Sequence, residues 1–593
     1  MIGRRRLPWV VAVLLCVLPM ATSAAEPTVR DTVEGIVARM RASLEQQQML
    51  AADRETVERF VTPADRAVLG TRYWCFDANV PVVVSVMRHT GQATAPFWLQ
   101  ERGFTKTDLR VRNEEYEYEV WQKEFPAGRV GLGINGFELH RPHYFVSVGP
   151  QQRGAALRLS RFFPASQRQH VMRPGASTYH DWSSLVLTEV PELLRGQVLL
   201  PTIRGRAREA HLIGGFRATP YPSSDRPDLV ALTWSEDPRT TQTVQWRCSS
   251  SAAAGAVRWR PAARSSAPWR TVRGTAVTLS DSRILNDPRV RWFTATMRGL
   301  RPGAAYTYAV GSPSGRWSAP ATFRTAPQRP APFTFVWLSD THNRDSTAAL
   351  LAQASRKYPD AAFCTVSGDL VGMGQYRDDW DQFFQHMGSF ASRKPVAPAI
   401  GNHDTIDGLG AGLYRSLFGL PANGPRALQP ERAYSFTYSD TLFLILDCTE
   451  STEVQKPWIE QQLRTTTARW KFVVFHFPPY SDPGEYADIV RDWCPLFDRH
   501  HVDFVLAGHV HELQRTYPLR AGRAVKRPAD GTIYLVTVSV PQRPRMDPRP
   551  ATTLLRSQPG PALFNTLTVD GKRLVMRVYD ADGRVYDELK VTK

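Results

Sequence analysis

The chain has 593 residues, of which 42% are hydrophobic and 22% charged. That length is a prior of about four domains, and the composition excludes a disordered or fibrous chain. Lys and Arg number 74 against 56 Asp and Glu, a net charge of +18 carried mostly by Arg; such a field attracts anions, but no dense basic run follows the first residues, so the sequence shows no nucleic-acid footprint.

Arg4, Arg5 and Arg6, an apolar stretch over 7–20 and the small residues Ser23, Ala24 and Ala25 read as a signal peptide over 1–25. The stretch is too short to span a bilayer, and no later segment reads as transmembrane. The expectation is a secreted or periplasmic protein. Cleavage leaves Cys75, Cys248, Cys364, Cys448 and Cys494; an odd number cannot pair completely, and Cys364 sits in an apolar run that suits a buried thiol.

Residues 26–70 form an amphipathic helical segment, with Val29, Val33, Ile36, Val37, Met40 and Leu44 at helical spacing. Residues 71–215 read as a β-rich module of unknown role, with strands near 80–86, 116–121 and 144–148. His140, His143, His180 and His211 there carry no ligand grammar. Residues 216–326 read as a β-sandwich. Leu300, Pro302, Gly303, Tyr306 and Tyr308 have the form of a tyrosine corner, and the stretch resembles a fibronectin type III domain. A Pro-rich linker covers 327–332.

From residue 333 apolar runs alternate with helical stretches at 346–357, 376–389, 456–468 and 484–499, an α/β pattern. Five of those runs end in chemistry: Asp340 and His342; Asp369; Asn402, His403 and Asp404; His476; His509 and His511. Strand C-terminal ends converge on the crevice of an α/β sheet. A set of N and O donors suits two ions of Fe, Mn or Zn, and Asp369, alone after its strand, is placed to bridge them. Asp-x-His or Gly-Asp alone is weak; all five in this order are hard to reach by accident.

Residues 333–593 resemble a calcineurin-like metallophosphoesterase, and with the sandwich before them they are similar to the purple acid phosphatase arrangement. The resemblance implies two β-sheets flanked by helices around two metals. It implies that Asp340, His342 and His511 hold one ion, that Asn402, His476 and His509 hold the other, and that Asp369 bridges both. His403 would touch substrate, with Asp404 holding its ring. Hydrolysis of phosphate monoesters or diesters by a metal-bound hydroxide follows, with His403 as proton donor. Arg344 is a candidate phosphate contact. The purple enzymes carry a ligating Tyr four residues after the Gly of Gly-Asp, and an Asp-x-Gly; here Gly372 and His342 stand at those positions. Their colour needs a metal-bound phenolate, so none is expected here unless Tyr376 supplies it. A different reading is a surface or glycan-binding protein in which residues 26–215 carry the main role.

Overall fold

The apolar stripe at the N-terminus becomes the buried face of the helix Val29–Ser43, capped by Thr28 and Asp31 in a reciprocal box. The computed structural model describes residues 27–593 apart from 180–184, 313–314, 406–409, 482–485, 542–548 and 559. The signal-peptide reading and His180 therefore lie outside the described residues. Among those described, no helix is long and apolar enough to cross a membrane, and all five cysteines are buried and free.

The helix packs over a three-stranded and a seven-stranded sheet. The strands Val82–His89, Glu117–Phe125 and Phe145–Pro150 lie side by side and antiparallel in the larger one. Their Val-rich inner faces give this module its own core, which also takes in Phe216 and Leu285 from the following domain.

Residues 228–324 form two four-stranded antiparallel sheets. Trp246, Trp259, Phe293, Tyr306 and Phe323 fill the space between them. Tyr306 Oη accepts from the Arg301 amide at 2.8 Å, which closes the tyrosine corner. The outer face of the first sheet is apolar and docks on the C-terminal domain. Trp234 meets Phe363 and Phe436, and Trp292 Nε1 donates to the Leu417 carbonyl. The same seam buries charge: Arg247 and Arg377 both reach Asp381.

The C-terminal domain stacks two sheets. One has six strands and places Phe333–Leu338, Cys364–Ser367 and Val396–Ala399 parallel at one side. The other has seven, with Thr441–Ile445, Trp470–Val474, Phe504–Ala507 and Ile533–Val536 parallel at its centre. Phe335, Phe363, Phe443, Phe472 and Phe504 pack in the layer between them. The helices Ser346–Lys357 and Arg377–Ala391 cover the first sheet, while Lys456–Thr465 and Cys494–Arg499 cover the second. All five chemistry-bearing runs are strands, and their carboxyl ends meet at one edge of this pair of sheets.

Candidate metal centre

Asp340, Asp369 and Asn402 follow three adjacent strands of the six-stranded sheet. His476, His509 and His511 follow two adjacent strands of the seven-stranded one. Short side chains reach a common point only if the backbone turns sharply after each strand. It does: Asp340, His342, Asp369, His509 and His511 all have φ between +43° and +72°. Each such residue costs of order 1–3 kcal/mol and persists only where its surroundings over-determine it. The turns are zipped together, with Asp340 N donating to Gly368 O and His342 N to Asp369 O, each at 3.0 Å. Glycine is required by close approach at two of these turns. A Cβ on Gly401 would overlap the Asp369 backbone, and one on Gly508 would overlap Ser339.

Three groups of candidate ligands result: Asp340, His342 and His511; His342, Asp369 and His403; Asp369, His476 and His509. In the first, His511 Nε2 lies 3.1 Å from both His342 Nε2 and Asp340 Oδ1. In the third, His476 Nε2 lies 3.2 Å from Asp369 Oδ2 and 3.3 Å from His509 Nδ1. Asp369 Oδ2 also lies 3.7 Å from His342 Nε2, so one carboxylate oxygen stands between the two groups.

Several observations show that a cation fits here. Nitrogens 2.0–2.1 Å from a tetrahedral ion would be about 3.3 Å apart, the spacing found. His476 Nδ1 donates to the Ser367 carbonyl at 2.9 Å, which aims its Nε2 at the carboxylate. Asn402 Oδ1 is buried with no hydrogen-bond partner, as an uncompleted metal donor would be. Burial holds His342 and His509 neutral, down at about 4 and about 3. Burial opposes charge on His476 too, but Asp369 and Asp340 overcome it and lift the ring to about 9. A proton there occupies the position a metal would claim.

Six of the seven expected ligands are thus brought together, His403 joins them, and Asn402 follows the strand next to that of Asp369. Its amide donates to Asp369 Oδ1 at 2.8 Å, and its ring packs edge-on against His342. The expected role of Asp404 needs correction. His403 Nδ1 donates to the Gly372 carbonyl at 2.8 Å, which leaves Nε2 free as a donor or acceptor toward the cluster. Asp404 instead accepts from the backbone amides of Leu370, Val371 and Gly401, stapling the turn that carries Asp369 to the turn that carries Asn402. Arg344 is exposed, and no hydrogen bond or ion pair ties its side chain to the cluster. Tyr376 turns away from it, with its ring under the Arg217 guanidinium at 3.8 Å and its hydroxyl 3.3 Å from His211 Nδ1.

Those last contacts were not legible in the sequence. His211 and Arg217 belong to the segment that joins the first two modules, yet they grip the loop after Asp369. Arg217 also binds Asp378 with two bonds, at 2.8 and 2.9 Å. Asn343 holds the Gly372 amide at 2.8 Å and so supports the carbonyl that fixes His403. Nearby, burial and then Asp378 push the Asp379 carboxyl up to about 7. The contacts of His211 and Arg217 cross more than 150 residues and have no local signature.

Residues 333–513 match the family model for calcineurin-like phosphoesterases, and residues 227–325 match that for the N-terminal domain of purple acid phosphatases. The last domain is a calcineurin-like metallophosphoesterase domain. A protein of Mycobacterium tuberculosis is 28% identical to this chain over 296 residues, 41% of this chain and 55% of its own. Purple acid phosphatase 21 of Arabidopsis thaliana is 27% identical over 37% of this chain and 52% of its own. The chain therefore spans about half the length of the curated relatives it matches. The purple acid phosphatase PPD1 of yellow lupin, Lupinus luteus, shares the fold over 88% of this chain and 93% of its own, with a TM-score of 0.52 at 16% identity. That likeness in fold extends beyond the two matched domains.

Proposed function

We propose that this metallophosphoesterase chain is an exported dinuclear phosphoesterase that hydrolyses phosphate monoesters or diesters. The observation that carries the reading is Asp369, whose one oxygen stands between two groups of buried N and O donors. Asp340, His342 and His511 would hold one ion, and Asn402, His476 and His509 the other. Bound ions of Fe, Mn or Zn would neutralise phosphate oxygens and make water nucleophilic near neutral pH.

The protein's own groups do the rest. Gly372 and Ser367 fix the tautomers of His403 and His476 through their carbonyls. His403 Nε2 then faces the cluster, placed to donate a proton to a departing alkoxide. Asp404 and Asn343 lock the turns that hold these rings, so little reorganisation is needed on binding. Arg344 meets substrate only if an extended ester reaches its loop. The export reading rests on Arg4, Arg5, Arg6 and the apolar stretch after them.

Hydrolysis of chromogenic mono- and diester substrates by the purified protein, before and after chelation, tests the proposal. Activity on at least one substrate, lost on chelation and restored by Mn, Fe or Zn, is expected. A folded, metal-loaded protein that cleaves neither would contradict it.

A further inference from the structure

The sandwich holds the most unbalanced charge in the molecule. Residues 216–326 carry sixteen arginines, no lysine and six carboxylates, so ten of the eighteen net positive charges sit on this one domain. No Asp or Glu occurs over 238–280 or over 288–339.

The fold gathers part of this charge onto one face. In the second sheet of the sandwich, Val257 and Trp259 pair with Val310 and Tyr308 and point into the core. Strand alternation therefore puts Arg258 and Arg260 on the outer face. Thr271 stands opposite Arg258, and Arg273 opposite Ala256. The first sheet docks on the phosphoesterase domain, so this face looks away from it.

Tryptophans order the arginines. The Arg258 guanidinium lies 4.3 Å from the Trp317 ring and 4.8 Å from Trp269, and Arg260 lies 4.4 Å from Trp269. A bridge between Gly311 and Trp317 pins the latter against the sheet. Cation–π contact holds the guanidiniums without neutralising them. Ion pairs in the sandwich use Arg217, Arg239, Arg247 and Arg298. Among the described residues none reaches Arg258, Arg260, Arg264, Arg270 or Arg273, and Arg258 Nε is buried without an acceptor. Like charges about 7 Å apart along one strand repel, and an anion relieves that repulsion.

We propose that this face docks a linear polyanion carrying phosphate groups. Pre-ordered planar forks match phosphate oxygens and lose little freedom on binding. The ladder's tryptophans are already engaged by arginine, so the polymer is held by its oxyanions and not by stacking of its rings. Insertion into a bilayer would need exposed apolar side chains. The one large exposed hydrophobic residue in the sandwich, among those described, is Val277, on the other sheet. The inference stands apart from the catalytic reading and does not need it.

Titration of the full chain with end-labelled long-chain inorganic polyphosphate at about 50 mM and about 200 mM salt tests it. The double change Arg260→Gln with Arg273→Gln should weaken binding at least tenfold and flatten the salt slope by roughly 1.5, at 0.7–0.9 per lost contact. Thr271→Glu, which removes no contact, should also weaken it, with the melting temperature unchanged in both. The distant double change Arg523→Gln with Lys526→Gln should leave affinity within about twofold. No binding by the parent chain, an equal loss in the distant variant, or preference for heparin or anionic vesicles over polyphosphate would overturn the proposal.

Discussion

His403 and Asp369 sit within hydrogen-bond reach of one another but are asked to do different work. His403 hangs from the Gly372 carbonyl with Nε2 toward the cluster, so His403→Ala should leave metal content near that of the parent. It should lower turnover by about 10²–10⁴-fold, the usual worth of a positioned acid. Metal analysis beside single-turnover kinetics checks both halves. A second prediction concerns colour. Gly372 offers no phenolate, and Tyr376 is committed to Arg217 and His211. The iron-loaded protein should therefore lack an intense visible band, and Tyr376→Phe should leave its absorption spectrum unchanged. A strong band abolished by that substitution would show a different first metal shell.

At the scale of elements, the seven-stranded sheet of the N-terminal module holds a buried acid. Burial alone would raise Glu119, but Lys106 at 2.6 Å, Trp121 at 2.9 Å and Arg88 at 2.6 Å overcome it and hold the carboxyl at about 2. The ionised group then contributes stability above the ordinary carboxylate range that is lost as pH falls towards 2. Glu119→Gln should flatten the acid limb of the stability–pH curve for this module, read by denaturation between pH 2 and 6. An unchanged limb would mean that the cluster contributes nothing.

The same scale separates what the sequence carried from what it did not. Asp340, Asp369, Asn402, His476 and His509 were legible because each closes an apolar run, and strand ends in an α/β sheet share an edge. The helix Val29–Ser43 was legible from its period. The anchoring of His403 by Gly372 was not, because a backbone carbonyl leaves no trace in residue type, and the nearby Asp404 was given its role. The grip of His211 and Arg217 on the loop after Asp369 depends on how three modules pack. The arginine face needed the strand register, since Arg258, Arg260 and Arg273 look dispersed along the chain.

The whole molecule is joined by a buried charged seam. Arg247 and Arg377, each about 1% exposed, both contact Asp381 between sandwich and catalytic domain. Stranding a buried charge in low dielectric costs about 3–5 kcal/mol, but each arginine here keeps a second carboxylate, Asp228 for Arg247 and Asp287 for Arg377. Asp381→Asn should therefore lower stability by less than that figure. It should split one denaturation transition into two, with the sandwich and the metallophosphoesterase domain melting apart. A single unshifted transition would mean that the apolar seam through Trp234 and Trp292 suffices.

The two-ion site depends on the bridge made by Asp369. Metal stoichiometry of the purified chain, measured by mass spectrometry beside that of Asp369→Asn, tests it most directly. Close to two ions per chain are expected in the parent and fewer than one in the variant, which should also lose turnover. One ion or none in a fully active parent, or two ions retained by an active Asp369→Asn, would contradict it.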